Sequence, residues 1–259
     1  MIYIAIDRSR NHRCQEADMF YYLLPPILTY NYILIAAAVI PAVWLMIRVY
    51  QSDRLEKESP YLLWNLVRAG ILSSLLALVE ERILSAVLNQ YVEPNTVTYN
   101  LILYFCIVAT AEESSKYIFM KQNSWNNREF NCQYDGVVYA VFVSLGFALW
   151  ENISYVLNFG FTTALARAVT AIPGHACFGV FMGVFYGIAK KYDNAGESGK
   201  SVLFRVLSLI VPMLLHGTYD YIATLEQTES GWYFLPFIMA LFVVSYILVG
   251  QTSKKDRRI

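Results

Sequence analysis

Glu112, Glu113 and Lys116 form the run Glu-Glu-Ser-Ser-Lys in the middle of an apolar stretch, and Glu151, His175, His216 and Asp220 follow, each in apolar surroundings. Carboxylates and imidazoles move protons near neutral pH and bind metal ions. Two adjacent carboxylates in a low dielectric cannot both ionise freely, which sets a proton acceptor beside a donor. Lys116 follows Glu112 by four residues, so on a helix the two share a face and pair. Glu113 lies about 100° further round and points to another neighbour. His216 and Asp220 have the same four-residue spacing, which lets the Asp hold the imidazole in one tautomer.

Together these groups could pass protons to and from a bound water; a hydrolysis would need that activated water, a stabilised oxyanion and a protonated leaving group. Glu112 is the first choice for the water's proton, with Glu113 beside it, and Lys116 would hold the charge of the acidic pair. His175 and His216 would polarise a carbonyl or bind metal, with Asp220 orienting His216. Glu151, His175 and His216 make one possible zinc shell with an open position for water. A metal-free route through Glu stands beside it, because the ligands lack the short fixed spacing of a zinc motif. No G-x-S-x-G or HExxH run offers another route. The plainer alternative is an ion-pair network that only fixes helix packing, although buried pairs stabilise poorly.

The elements that carry these residues are long apolar segments. Of the 259 residues 57% are hydrophobic and 15% charged, against about 25% charged in soluble domains. With 20 basic and 20 acidic residues the formal charge is zero, so no global field favours nucleic acid. Crossing a bilayer takes about 20 apolar residues. Seven segments qualify: Ile27–Tyr50, Tyr61–Val79, Val97–Met120, Tyr134–Asn158, Ala164–Ala189, Val202–Leu225 and Trp232–Gly250. The expected fold is an all-α polytopic transmembrane helix bundle. An N-terminal arm (1–26) precedes the helical domain (27–250), and a basic tail (251–259) follows it. Eleven Lys and Arg fall on the side of the C-terminus, against Arg8, Arg10, Arg13 and Arg82 on the other. That bias puts the C-terminus in the cytoplasm and the N-terminus outside.

A charged group left in lipid costs about 2.5–3.5 kcal/mol on insertion scales, so the polar residues must face one another or water. At 1.5 Å per residue Glu112, Glu151, His175 and His216 reach similar depths on four helices. Pro173 and Pro212 precede the two histidines closely and can bend their helices to open a wet pocket. Gly179, Gly183 and Gly187 make a smooth stripe for close helix approach. Tyr61, Trp64, Trp232 and Tyr233 read as interface anchors, as do Tyr21 and Tyr22. The Lys-Lys-Asp-Arg-Arg tail reads as an orientation signal in contact with lipid headgroups. Cys106 and Cys177 lie in apolar runs, and with Cys14 and Cys132 they form no metal or disulfide pattern. Asp7, Arg8, Arg10 and Arg13 rule out a secretory signal at the start.

Three motifs in order carry a family resemblance. Glu112-Glu113-Ser-Ser-Lys116 fits EExxK, Phe147-Ala-Leu-Trp-Glu151 fits FxxxE, and His216-Gly-Thr-Tyr-Asp220 fits HxxxD. On successive spans they resemble the PrsW family of membrane-embedded proteases. Asp135-Gly136-Val-Val-Tyr139 and the stretch from Asp53 through Glu58-Ser-Pro60 resemble it too. The resemblance runs from about Asp53 to Tyr221 and leaves out the arm and the last span. It implies site-1 cleavage of single-pass anti-sigma factors, in a bacterial inner membrane. The wider CAAX prenyl endopeptidase and bacteriocin-immunity group has His and Asn where this chain has Glu151 and Asp220, which argues against prenyl-protein processing. A proton-coupled transporter would also bury such groups, but with repeated halves that this sequence lacks. A non-enzymatic chaperone or immunity protein would tolerate Gln at Glu112 and Glu113.

Overall fold

The computed structural model describes residues 31–225 and 232–259. The expected N-terminal arm, the first residues of the expected first span, Tyr21, Tyr22 and Cys14 lie outside the described residues. The chain is an all-α bundle of α1 (Asn31–Ser52), α2 (Pro60–Tyr91), α3 (Val97–Leu101), a π-helical segment (Ile102–Val108), α4 (Ala109–Ser124), α5 (Asp135–Phe159), α6 (Phe161–Val169), α7 (Ala171–Asn194), α8 (Ser198–Leu225) and α9 (Phe234–Lys254). Its β-structure among the described residues is a single bridge between Cys132 and Arg258.

Among the described residues six helices, counting α6 with α7, are long and apolar enough to cross a membrane. The remaining expected crossing, Val97–Met120, is not one of them: it is helical throughout but divided among α3, the π-helical segment and α4, and its Glu112, Glu113 and Lys116 are buried by the bundle. Ser59 caps α2, accepting from Leu62 N at 3.2 Å, and Pro60 opens it. α2 runs to Tyr91, three turns beyond the expected end at Val79. A helix satisfies its own backbone, so Glu80, Glu81 and Arg82 stay helical although they end the apolar run.

α5 is the centre of the core, buried continuously from Asp135 to Ala148 between α2 and α7. Close approach on both sides requires glycine. A Cβ on Gly70 of α2 would stand 2.1 Å from Val143 O, and one on Gly183 of α7 would stand 2.4 Å from Gly136 O. The stripe expected at Gly179, Gly183 and Gly187 is therefore the α5–α7 contact. Gly183→Val is expected to destabilise the bundle by about 1–3 kcal/mol, as overpacking does. Gly199→Ala, with open space around it, should melt like the parent. Thermal unfolding in detergent checks the pair.

α9 packs onto α7 through Leu241 and Phe237 against Cys177 and Phe178. The tail beyond α9 folds back onto the loop before α5. Asp256 Oδ1 accepts from Tyr134 N at 2.9 Å, Arg257 O accepts from Gln133 N at 3.1 Å, and Ile259 N donates to Asn131 O at 2.8 Å. A basic run read as headgroup contact thus contains a structural clasp. Burial, then Asp135 and Asp256, push the neighbouring Cys132 thiol up to about 12. Cys132 and Cys177 are buried and free, while Cys106 is free and exposed.

Candidate active site

The polar residues converge from α4, α5, α7 and α8. The π-helical turn comes just before Glu112: Ala109 N donates to Tyr104 O, one residue further back than α-helical spacing allows. This segment lies against α8, where the Phe105 ring fills the space that a Cβ on Gly217 would need. Pro173 lacks the N–H that would bond the carbonyl four residues back. The helix breaks at Thr170, three residues before it, and restarts as α7, so Pro173 lies in a first turn rather than kinking a continuous span. Pro212 stands inside α8, one turn before His216.

Lys116 is the hub. It is wholly buried, and its Nζ donates to Glu112 Oε2 at 3.0 Å and Glu113 Oε1 at 2.8 Å. It stands 3.1 Å from His175 Nδ1 and 3.9 Å from the centre of the Phe147 ring. The expected Glu112–Lys116 pair is present, and Glu113 shares the same ammonium. Glu113 also reaches α8, where His216 Nδ1 lies 2.9 Å from its Oε1. Lys116 can only donate, so His175 Nδ1 accepts, and His175 Nε2–H donates to Glu151 Oε2 at 2.8 Å. Glu113 as a carboxylate can only accept, which holds His216 as the Nδ1–H tautomer. That leaves His216 Nε2 facing Asp220 Oδ2 at 3.4 Å and Glu112 Oε2 at 3.9 Å. The Phe178 ring stacks on His216 with centroids 4.7 Å apart.

A cavity of about 560 Å³ opens onto Glu112, Glu151, His175, His216 and Asp220. Glu113 and Lys116 do not line it. Of the adjacent acids, only Glu112 faces the cavity.

Ligand atoms of Glu112, His175 and His216 all lie within 4.8 Å of one another, and all three residues are buried. Two imidazoles and a carboxylate are a zinc donor set in type and number. His216 fits well, because its Nε2 faces the cavity-lining carboxylates Asp220 and Glu112 while a third carboxylate holds its Nδ1, as with metal-bound histidines. His175 would join by giving up one present contact. Glu151, expected in the shell, is instead joined to Arg167 Nη2 at 2.9 Å as well as to His175. Glu112 takes its place in the close group.

Two cavity residues escaped the sequence reading as site candidates. Arg167, ion-paired with Glu151 and donating from Nε to Asn152 Oδ1 at 2.8 Å, is a charge inside a span, and the same cost argument could have found it. Glu81 lines the cavity only because α2 continues past its apolar run.

The chain is similar to known proteins over nearly all of this bundle. The pattern of the family described as "PrsW family intramembrane metalloprotease" matches residues 58–249. Among curated proteins, "Protease PrsW" of Oceanobacillus iheyensis is 32% identical over 224 residues, covering 85% of this chain and 96% of that protein. "Protease PrsW" of Geobacillus kaustophilus is 33% identical over 220 residues, covering 85% and 92%, and that of Bacillus subtilis 32% over 213 residues, covering 81% and 90%. No solved structure gives a significant match. The match to residue 249 corrects the expectation that the last span lies outside the resemblance. α9 carries no motif, but it packs against the helix that holds His175.

Proposed function

Since this chain belongs to the PrsW family, and is therefore a membrane-embedded, multi-pass protease, we propose that it cleaves a single-pass membrane protein at a water held among Glu112, His175 and His216. The observation that carries this is the 3.9 Å gap between His216 Nε2 and Glu112 Oε2 on the cavity wall. It is too wide for a hydrogen bond and suited to a bridging water or ion.

In this proposal Glu112 receives the water's proton or shares in holding a metal. Glu113 is a positioning residue that fixes the His216 ring, and Asp220 faces the ring's other nitrogen. Lys116 offsets the charge of the paired carboxylates, whose oxygens its ammonium joins at 3.0 and 2.8 Å. A zinc ion held by Glu112, His175 and His216 would lower the energy of deprotonating its water and polarise the scissile carbonyl. Glu151, tied to Arg167, holds His175 from the cavity side. A second reading, in which Glu112 activates water alone, rests on Lys116, whose ammonium already joins both acids and His175.

The orientation belongs to the same proposal. With the C-terminus in the cytoplasm, Asp135 begins α5 at the inner face. Glu151, 16 residues on, then lies about 24 Å up the helix, in the outer half. That depth agrees with site-1 cleavage in a bacterial inner membrane, with an anti-sigma factor as the family's implied substrate. Kinship with the CAAX protease and bacteriocin-immunity group, and an arm–domain–tail division at 1–26, 27–250 and 251–259, are parts of the same reading.

The test is cleavage of a co-expressed single-pass protein, then of the purified pair before and after chelation. Loss on chelation and recovery with Zn²⁺ are expected. Full activity after complete metal removal favours Glu112 acting alone. Absence of cleavage across a panel of single-pass proteins overturns the substrate class.

A further inference from the structure

A second polar cluster stands at the opposite end of α5 from the cavity. Asp53 and Glu58, from the loop between α1 and α2, face Asp135 at the start of α5. One carboxylate oxygen from each lies within 4.8 Å of the others. All three residues are at least 95% buried, with exposures of 3%, 5% and 1%. Asp135 Oδ2 is satisfied by Asn131 N at 3.0 Å and Cys132 N at 2.6 Å. Both Oδ atoms of Asp53, Oε2 of Glu58 and Oδ1 of Asp135 are buried without a hydrogen-bond partner among the described residues, as is Oδ2 of the adjoining Asp256.

The nearest cation on this loop is Lys57, and its Nζ donates to backbone carbonyls of Tyr50 and Asp53 rather than to these carboxylates. Arg258 reaches only Glu56, at 3.7 Å and in the open. Charges of one sign, buried together with unfilled oxygens, are costly unless a proton or a counter-ion neutralises them, and a cation would also fill the open oxygens. Packing gives no reason for three acids here. The donor set is oxygen only, drawn from two chain segments, with no imidazole or thiolate.

We propose that Asp53, Glu58 and Asp135 bind a hard divalent cation, Ca²⁺ or Mg²⁺, that pins the α1–α2 loop to the start of α5. Oxygen-only carboxylate sites select such ions over zinc. Asp256, held by Tyr134 N, closes the cluster from the tail, so the ion would tie three parts of the chain at one end of the bundle. The site is about 24 Å along α5 from Glu151. It stands or falls independently of the catalytic proposal.

The test uses purified full-length protein after chelation and Tb³⁺ as a luminescent stand-in for Ca²⁺. Tyr139, one turn beyond Asp135 on α5, is placed to sensitise it. Saturable Tb³⁺ emission is expected, displaced by Ca²⁺ or Mg²⁺. Saturating Ca²⁺ or Mg²⁺ should raise the thermal midpoint by about 5 °C or more. Asp53→Asn and Glu58→Gln should each weaken Tb³⁺ binding about tenfold or more, and His216→Ala should leave it unchanged. A flat titration of the unaltered protein overturns the proposal. So do displacement by neither cation, and titrations of the two variants that overlay the parent's.

Discussion

Glu112→Gln should lower proteolysis by about a thousandfold while leaving the melting temperature close to that of the parent. Gln keeps the shape and can still accept from Lys116. It has no charge with which to take a proton, and it is a poor metal donor. Glu112 is the member of the acidic pair that meets the cavity. Glu113→Gln should cost less, about 10–100-fold, because Glu113 touches the His216 Nδ1 at 2.9 Å rather than the cavity and on the proposed mechanism only orients that ring. Its loss should also change the pH profile, since the partner that fixes the His216 tautomer is gone. The measurement is initial cleavage rate against pH on a single-pass substrate for both variants. Glu112→Gln within tenfold of the parent would remove Glu112 from the chemistry.

Lys116→Met should unfold or severely weaken the bundle, by about 3–5 kcal/mol. The side chain is entirely enclosed, and its ammonium joins two carboxylates, an imidazole and the face of Phe147. Met fills nearly the same volume, so the loss is electrostatic rather than steric. Removing one partner of a buried charge group leaves the others uncompensated. The diagnostic result is rescue: Lys116→Met with Glu112→Gln and Glu113→Gln should recover most of the lost stability, without activity. Detergent-solubilised melting curves and the monodisperse fraction on a sizing column read this out. A single variant that melts like the parent would show that the ammonium does not hold the cluster together.

Much of this molecule is written locally. An apolar run long enough to cross a bilayer must form a helix, since lipid offers no partners to an open backbone. The all-α class and most span positions are therefore legible from residue order. So are helical-face relations, because spacing alone sets them: Glu112 with Lys116, His216 with Asp220. The cost of burying charge marks Glu112, Glu113, Glu151, His175 and His216 as a set before any coordinates are seen. It marks Arg167 equally.

Contacts between helices were not legible, because they depend on crossing angles and on where close approach is allowed. Gly70 and Gly183 permit that approach, but which backbone they meet is decided by packing. Proximity across helices assigned Glu113 to His216 and Glu151 to Arg167, and it separated the cavity-facing Glu112 from its enclosed neighbour. Glu81 reached the cavity because a helix does not stop where its hydrophobicity does. Asp53, Glu58, Asp135 and Asp256 lie far apart in order, at loop and helix ends, where no periodicity speaks. Local sequence fixes which groups cannot be left in lipid, and only the assembled bundle determines which of them meet, since contact energy depends on distances that no single segment encodes.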